Sequence, residues 1–239
     1  MDTLTVPRPT TAAPYGAPRP RLGPAGAISP TQLGSLLARI HRAGRADRRV
    51  HPWWADPPVG SARWDALVTA LGAAGPRSGV DLAVALARQR AELVALDALV
   101  ERARSVQPCH RSIGADSLRR DAGGRLCVIG WGELVPADPG HDLAAVLHGV
   151  LALRPARSRE LVAAYRAAGG HGTVDRPGSF SLAIVRHGRA LEAAVERWLQ
   201  SHTTADRDRR ATTIDQLLAH RPTRPAIDRV LDTLATGPT

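Results

Sequence analysis

Apolar residues recur at the three- and four-residue spacing of an α-helix through most of this chain. Only residues 117–121 and 125–131 depart from that pattern, because they form two short strand-like runs around the turn at 121–124. The chain is therefore predicted to be mainly α with one small β-hairpin. Helices are predicted over 29–44, 61–71, 80–105 (one long helix or two shorter ones), 143–150, 158–168, 182–200, 209–219 and 225–235.

Composition supports a helical core. Hydrophobic residues make up 44% of the chain but aromatic residues only 3%, so the core must be built from leucine, valine and alanine. That mixture favours helices over sheets. No glycine-rich loop follows a strand, which excludes a Walker motif and a dinucleotide-binding fingerprint.

The first 28 residues differ from the rest because prolines are dense among threonine, alanine and glycine. Proline blocks both helix and sheet hydrogen bonding. Residues 1–28 are predicted to be a disordered tail, and residues 29–239 the folded domain.

The chain carries a formal charge of +10, and all 32 basic residues are arginine. A basic chain raises the possibility of a nucleic-acid partner. However, the arginines are interleaved with acids and lack the aromatic platform on which single strands stack. Arginine-rich coding bias is the preferred explanation, and no nucleic-acid partner is expected.

Cys109 and Cys127 are the only cysteines, too few for a disulfide framework or an all-cysteine zinc site. The N-terminus lacks the apolar core of a signal peptide, and no apolar run is long enough to span a bilayer. A cytoplasmic protein without a membrane partner is expected.

Three separated motifs occur in a fixed order in the second half of the chain. Residues 109–121 read CHRSIGADSLRRD, residues 129–131 read IGW, and residues 138–144 read DPGHDLA. Their spacing resembles the catalytic stretch of the aminoglycoside phosphotransferase family, which is related to choline kinases. In that family the pattern is His-x-Asp-x-x-x-x-Asn, then Ile-Asp-Trp, then Asp-Pro-x-x-Asp-Leu-Ala.

The resemblance extends from about residue 29 to residue 235. Residues 33–41 (LGSLLARIH) are similar to the helix that opens the family's C-terminal lobe, and residues 164–170 (AYRAAGG) to the end of a later helix. It implies the C-terminal lobe of a protein-kinase-like α+β fold, with the catalytic-loop-like region over 108–135. It also implies an ATP-dependent phosphotransferase that uses magnesium.

The residues that carry chemistry in the family are replaced here. By resemblance, Ser112 occupies the catalytic aspartate position, Ser117 the metal-binding asparagine position and Gly130 the metal-binding aspartate position. Serine is a poor base near neutral pH, and glycine offers no ligand for magnesium. No cofactor is therefore expected, and magnesium and ATP belong only to an active alternative.

The family also implies an N-terminal lobe that carries a phosphate-binding lysine. Only residues 1–32 precede Leu33, too few for a lobe of several strands, and the chain has no lysine. We expect this lobe to be missing, and the face it would cover to bind another protein chain.

Framework positions of the family are retained. The resemblance assigns His110, Arg111, Trp131, Asp138 and Asp142 to the framework of the loop. Asp138 before Pro139 also reads as the cap of a helix from its own sequence.

Other residues admit a chemical and a structural interpretation. Asp116 and Glu133 are possible substitutes for the lost metal ligands, but the preferred interpretation is that Asp116 caps a turn and Glu133 is a solvated acid.

Cys109 beside His110 is interpreted as a small buried cysteine rather than a nucleophile. His141 and His148 share a helical face without a third ligand, so a metal site is not expected there.

These observations predict a degenerate aminoglycoside-phosphotransferase-like protein without catalysis. It would act as a scaffold, bind a small hydroxylated or amino-bearing ligand or a partner chain, or be a truncated gene product. The alternative is an active ATP-dependent kinase for a small hydroxylated substrate such as an aminoglycoside or a choline-like alcohol.

Overall fold

The structure is a computed structural model, and it describes residues 23–24, 26–43, 57–74, 77–130 and 135–236. These residues form helices joined by short strands, which confirms the prediction of a mainly α chain with a small hairpin. The helices are α1 Pro30–Ala43, α2 Ser61–Ala73, α3 Arg77–Asp97, α4 Pro139–Gly149, α5 Pro155–Ala167, α6 Ser181–Leu199, α7 Thr204–Ala219 and α8 Arg224–Ala235. The strands are β1 Gly23–Pro24, β2 Gln107–Cys109, β3 Leu118–Arg120, β4 Leu126–Val128 and β5 Val135–Ala137.

One hydrophobic cluster centres on α1, α4 and α5, with α8 and the start of α6 packed against them. Helices α1 and α5 approach so closely that a Cβ atom at Gly34 would lie 2.3 Å from the carbonyl oxygen of Leu161. Glycine at position 34 therefore sets the separation of these two helices. The cluster is built mainly from buried leucines, among them Leu33, Leu37, Leu143, Leu147 and Leu161.

A second cluster joins α2 and α3 to the C-terminal half of α6 and to α7. Trp64 and Trp198 are fully buried in it, so two of the few aromatic residues occupy its interior. Helix α6 contributes Ile184 to the first cluster and Leu191 to the second. This one helix therefore connects the two halves of the described fold.

Two small antiparallel sheets lie between the helices. Strands β3 and β4 form the predicted hairpin, with Leu118 opposite Val128. The Asp121 carboxylate closes the turn of this hairpin, because it accepts from the backbone N–H groups of Gly123 and Arg125. Strand β2 pairs with β5, which the sequence pattern missed because each strand has three residues with a central proline.

The end of the predicted tail also differs from expectation. Gly23 and Pro24 form β1 and pair with Arg120 and Arg119 of β3, so this part of residues 1–28 joins the sheet. The backbone pairing is long-range, and a proline-rich sequence gives no periodic signal for it. Residues 1–22 lie outside the described part of the chain.

The helix predicted over 80–105 ends early, at Asp97. Beyond it, backbone N–H groups donate to side chains from elsewhere in the fold instead of to helical carbonyls. The N–H of Glu101 donates to Ser181 Oγ at 2.8 Å, and the N–H of Arg104 donates to Asp138 Oδ2 at 2.7 Å. Tertiary hydrogen bonds thus replace the last turns of the predicted helix.

Within the described residues, no helix combines the length and the apolarity needed to cross a membrane.

The stability of the fold is predicted to fall with acid because of the buried His187. The His187 and His148 rings lie edge to face, with their centres 6.1 Å apart. Burial is the largest cause that lowers the pKa of His187 to about 4, and His148 and Arg221 act in the same direction as burial does. An unfolded histidine has a pKa of about 6.5. Below that pH the unfolded chain binds a proton that the folded chain does not, so stability falls by about 3 kcal/mol as pH drops to 4.

Urea unfolding followed by circular dichroism between pH 7 and pH 4 measures this loss. His187→Gln should flatten the dependence, whereas His202→Gln, at an exposed position, should keep it. Equal slopes for the native chain and His187→Gln would show that His187 does not cause the acid sensitivity.

Candidate functional site

Strand β2 leads into a tight loop that begins at Cys109 and His110. The His110 N–H donates to Asp142 Oδ2 at 3.2 Å, and the Ser112 N–H donates to the His110 carbonyl at 2.7 Å. Between them, Arg111 has a φ of 58°, in the left-handed region that non-glycine residues rarely adopt. Arg186 of α6 donates to the Arg111 carbonyl and holds this turn from outside.

The Asp142 carboxylate is the centre of a buried network beneath the loop. It lies 3.1 Å from His41 Nε2, and His41 Nδ1 lies 2.7 Å from the Tyr165 hydroxyl. The Gly172 N–H donates to that hydroxyl at 2.9 Å. These partners fit a tautomer of His41 whose Nε2–H donates to Asp142 and whose Nδ1 accepts from the Tyr165 hydroxyl.

His41 and Tyr165 were missed as site residues, although both fall in segments that carried the family resemblance. Each belongs to a helix whose apolar spacing gives no hint that a polar side chain faces inward. His41 and Tyr165 are both fully buried. Burial raises the pKa of the Tyr165 hydroxyl to about 12, which keeps it protonated as a donor to His41.

The structure brings the loop, the hairpin and the segment after β4 together through Ile129. The Ile129 N–H donates to the Ser117 carbonyl at 2.8 Å, and the Ile129 carbonyl lies 3.0 Å from His110 Nε2. Ile129 therefore links the Ser117 turn and Gly130, which resemble the metal-binding positions, to His110 of the loop.

The side chains at those positions make local contacts. Ser112 Oγ lies 3.3 Å from His110 Nδ1. Ser117 Oγ accepts from the Gly114 N–H at 2.9 Å and donates to the Gly114 carbonyl, closing a 3-10 turn over Ala115–Ser117. A Cβ atom at Gly130, whose φ is 84°, would meet no atom of the described residues within 4 Å, its chain neighbours left aside.

A magnesium ion does not fit this set of residues. Magnesium takes hard oxygen ligands in near-octahedral geometry, usually carboxylates. Neither serine carries a charge, Ser117 Oγ is engaged with the turn, and Gly130 leaves open space where a ligand would be needed. No chemical step at Ser112, Ser117 or Gly130 is therefore assigned to a metal ion.

Asp116, one of the two acids considered as substitutes, makes none of these contacts. Asp116 is exposed on the 3-10 turn, and the bonds that close that turn come from Ser117 rather than from Asp116, contrary to the expected cap. Glu133 and the framework candidate Trp131 lie outside the described residues.

Asp138 caps α4 as its sequence predicts. Its Oδ1 accepts from the Gly140 N–H at 2.8 Å, and its Oδ2 accepts from the N–H groups of Arg104 and Ser105. Burial by itself would raise the pKa of this carboxyl, but those N–H groups and the nearby His141 hold the pKa below its usual value. Asp138 thus stays ionised and ties the segment after α3 to the start of α4.

His41, Cys109 and Asp142 are, among the described residues, the group of three potential metal ligands whose atoms lie within 4.8 Å of one another. Burial first, and then the Asp142 charge, raise the pKa of the Cys109 thiol far above its usual range. A protonated thiol is a poor metal ligand, and both His41 nitrogens already have partners. Hydrogen bonding therefore accounts for this cluster.

His141 and His148 do not form part of a three-residue metal group in the described structure. His148 contacts His187, whereas His141 lines a cleft of about 320 Å³ beside the loop. The cleft lies between the segment 100–103, the start of α6 and the loop at Arg111. His141 Nε2 is buried and has no hydrogen-bond partner among the described residues.

Comparison with known proteins identifies the fold and the family. A model of the phosphotransferase enzyme family matches residues 25–180. The chain belongs to the phosphotransferase enzyme family. No curated protein is significantly similar to it in sequence.

Solved structures of this family share the fold. Spectinomycin phosphotransferase, in complex with ADP and spectinomycin, is 14% identical with a TM-score of 0.60, and the match covers 90% of this chain and 69% of that one. An aminoglycoside phosphotransferase from Alicyclobacillus acidocaldarius is 17% identical with a TM-score of 0.57, covering 91% and 69%. These likenesses confirm the predicted kinase-like fold.

Loss of the Asp142 carboxylate is predicted to destabilise the whole domain. Asp142→Ala leaves the His41 ring N–H and the His110 backbone N–H buried without an acceptor, at a cost of about 3 kcal/mol. Urea unfolding should show Asp142→Asn in between, because an amide oxygen still accepts. The exposed Asp81→Ala is the control, and a loss no larger than in that control would contradict a central role for Asp142.

The two thiols are predicted to differ in reactivity. Cys109 is fully buried with a raised pKa, whereas Cys127 is partly exposed. In the folded protein, a disulfide reagent such as Ellman's reagent should modify Cys127 quickly and Cys109 only on unfolding. Cys127→Ser should remove the fast phase and Cys109→Ser should keep it; the opposite assignment would refute the buried-cysteine interpretation.

Proposed function

We propose that this chain is a non-catalytic member of the phosphotransferase family that retains the fold for binding. The observation that carries the proposal is the set of residues beside Ile129, where Ser117 binds its N–H, Gly130 follows it, and Ser112 contacts the His110 ring that meets its carbonyl. The family resemblance expects an aspartate at 112, an asparagine at 117 and a second aspartate at 130. The loop has its backbone connections, but the side chains at those positions lack a carboxylate.

Neither Ser112 nor His110 is placed to act as a general base. Phosphoryl transfer depends on positioning the acceptor hydroxyl and on stabilising charge in the transition state. A general base contributes about 10²–10⁴ in rate. Ser112 carries no charge, and its Oγ lies next to His110, a fully buried residue whose Nε2 is already paired with the Ile129 carbonyl. Neither side chain is placed as a solvent-facing base.

Ser117 and Gly130 offer no ligand for the magnesium ion that accompanies a bound nucleotide. Triphosphate binding in this family relies on a magnesium ion to neutralise charge between the phosphates. The open space at Gly130 and the engaged hydroxyl of Ser117 give the ion no anionic ligand. The energetic basis for both chemistry and tight nucleotide binding is therefore removed.

Binding is the function that the retained features support. The described residues form a cleft beside Arg111, and the fold is similar to that of a phosphotransferase solved in complex with ADP and spectinomycin. By that likeness, a small polar molecule is the proposed occupant, and a partner protein chain is a further proposed ligand of the fold. Both proposals require only shape and surface chemistry, which the substitutions leave intact.

Restoring the family side chains is predicted to restore metal binding. The variant Ser112→Asp, Ser117→Asn, Gly130→Asp should bind Mn²⁺, a paramagnetic substitute for magnesium, with at least about tenfold higher affinity than the native chain. Aspartate tolerates the left-handed backbone at position 130 better than most residues, and space is available there. Electron paramagnetic resonance of free Mn²⁺ measures the difference.

The native chain should consume Mg-ATP no faster than the Ser112→Ala variant, with or without spectinomycin as acceptor. Magnesium-dependent turnover by the native chain would overturn the proposal. If that turnover disappeared on replacing Asp116 and Glu133 by alanine, the active alternative with relocated acids would be established.

A further inference from the structure

Two histidine rings meet where α4 packs against α6. The His148 and His187 rings lie edge to face with their centres 6.1 Å apart, and His187 is 9% exposed. His187 Nε2 is buried and has no hydrogen-bond partner among the described residues. A proton bound at this nitrogen would place a charge where neither water nor a hydrogen-bond acceptor stabilises it.

The groups around this histidine pair oppose a positive charge on it. His220 and Arg221, in the connection between α7 and α8, add to the effect of burial and lower the pKa of the α6 ring. Arg186 has the same effect on the α4 ring. The carboxylate of Glu92 on α3 is bound by Arg221. A proton on either ring would therefore face the other ring and an arginine, and like charges repel.

The end of α7 lies directly against the two rings. The backbone carbonyl of Leu217 lies beside the α6 ring and that of His220 beside the α4 ring, where each carbonyl raises the pKa of its ring and partly offsets burial. Arg221 then turns back and donates to the Leu218 carbonyl at 2.9 Å. The connection between α7 and α8 is therefore the part of the fold that meets a charge on the histidine pair.

Helix α7 is also the least anchored of the elements around the pair. Of its sixteen residues only Ile214 and Leu218 are buried, whereas eight of the eleven residues of α4 and eleven of the nineteen of α6 are buried. Segments with few buried apolar contacts open at the lowest free energy. Repulsion at the histidine pair is therefore relieved most easily by displacement of α7.

Displacement of α7 would uncover apolar surface. Ile214 and Leu218 belong to the second hydrophobic cluster, which also contains the fully buried Trp198 and Leu191 of α6. The guanidinium of Arg207, also on α7, lies 5.4 Å from the centre of the Trp198 ring. Helix α7 thus covers this cluster on the side of the tryptophan.

We propose that α7 and its connection to α8 form an acid-sensitive flap, which opens when the histidine pair binds a proton and uncovers the second hydrophobic cluster at Trp198. The device is independent of the proposed binding function, because it involves neither the loop nor the cleft. It also differs from acid unfolding of the whole domain, since one helix opens while α1, α4 and α5 stay packed in the first cluster.

The pH range of the opening follows from the His187 ring. Its pKa is about 4 in the closed state, whereas an exposed histidine has a pKa of about 6.5. The open state therefore binds a proton that the closed state does not, so the closed state is favoured above pH 6.5 and loses that advantage as pH falls. By linkage, the equilibrium constant for opening should rise about twentyfold between pH 7 and pH 5.

Hydrogen exchange of the full chain, followed by mass spectrometry at pH 7 and pH 5, tests the flap. Protection factors, corrected for the intrinsic pH dependence of exchange, should fall about twentyfold for peptides from α7. A displaced α7 loses its amide protection because an isolated helix of this length is marginal in water. At pH 5, α7 should be at least about tenfold less protected than α5.

Matched variants identify the trigger. His187→Gln should reduce the change in α7 protection between pH 7 and pH 5 to less than about threefold, whereas His202→Gln, at an exposed position, should keep it. His148→Gln removes the neighbouring ring and should give a smaller reduction, so it decides the matter if His187→Gln fails to fold. Fluorescence of the apolar dye anilinonaphthalene sulfonate should rise with acid in the native chain and in His202→Gln, but not in His187→Gln.

Three outcomes would overturn the flap. Equal protection of α7 and α5 at pH 5 would show that only the whole domain opens. Protection of α7 that is the same at pH 7 and pH 5 in the native chain would show that acid does not act on this helix. An acid response of the two pair variants equal to that of His202→Gln would show that the histidine pair is not the trigger.

Discussion

The fold of the loop region depends on one buried carboxylate. Asp142 on α4 accepts from the His41 ring on α1 and from the His110 backbone at the start of the loop, while Tyr165 on α5 holds the other side of His41. Three helices and the loop are thus fixed by a single group. Because a buried charge is tolerated only when it is hydrogen bonded, any movement of one partner exposes the others to a desolvation cost. The loop is therefore held by hydrogen bonds from the interior of the protein.

That arrangement explains how a family loop keeps its shape after its chemical side chains change. The left-handed turn at Arg111 costs roughly 1–2 kcal/mol for a non-glycine residue. It is held by the His110 N–H on Asp142 and by Arg186 on the Arg111 carbonyl, and the hairpin is joined to the loop through the Ile129 backbone. None of these contacts uses a side chain at position 112 or 130. A change of the side chain at position 112 therefore breaks none of these contacts, whereas a change at Asp142 removes the acceptor of the His110 N–H.

The sequence predicted the parts of the structure that depend on local pattern. Helical spacing located the helices, and the Asp121 turn located the hairpin, because each is decided within a few residues. The end of α3 at Asp97, the pairing of β2 with β5 and the strand at Gly23–Pro24 depend on distant partners, so periodicity could not find them. The same holds for the network of His41, whose helical position gives no sign of the carboxylate it meets.

The charge of the loop follows from the residues at the positions that resemble the metal ligands. In a magnesium-dependent phosphotransferase, acids at the metal positions hold a divalent cation, and that cation supplies most of the positive charge in the site. Here the positions that resemble the two metal ligands hold Ser117 and Gly130, and neither offers an anionic oxygen. The loop therefore presents neutral residues at positions 112, 117 and 130, where the family pattern has an aspartate, an asparagine and an aspartate.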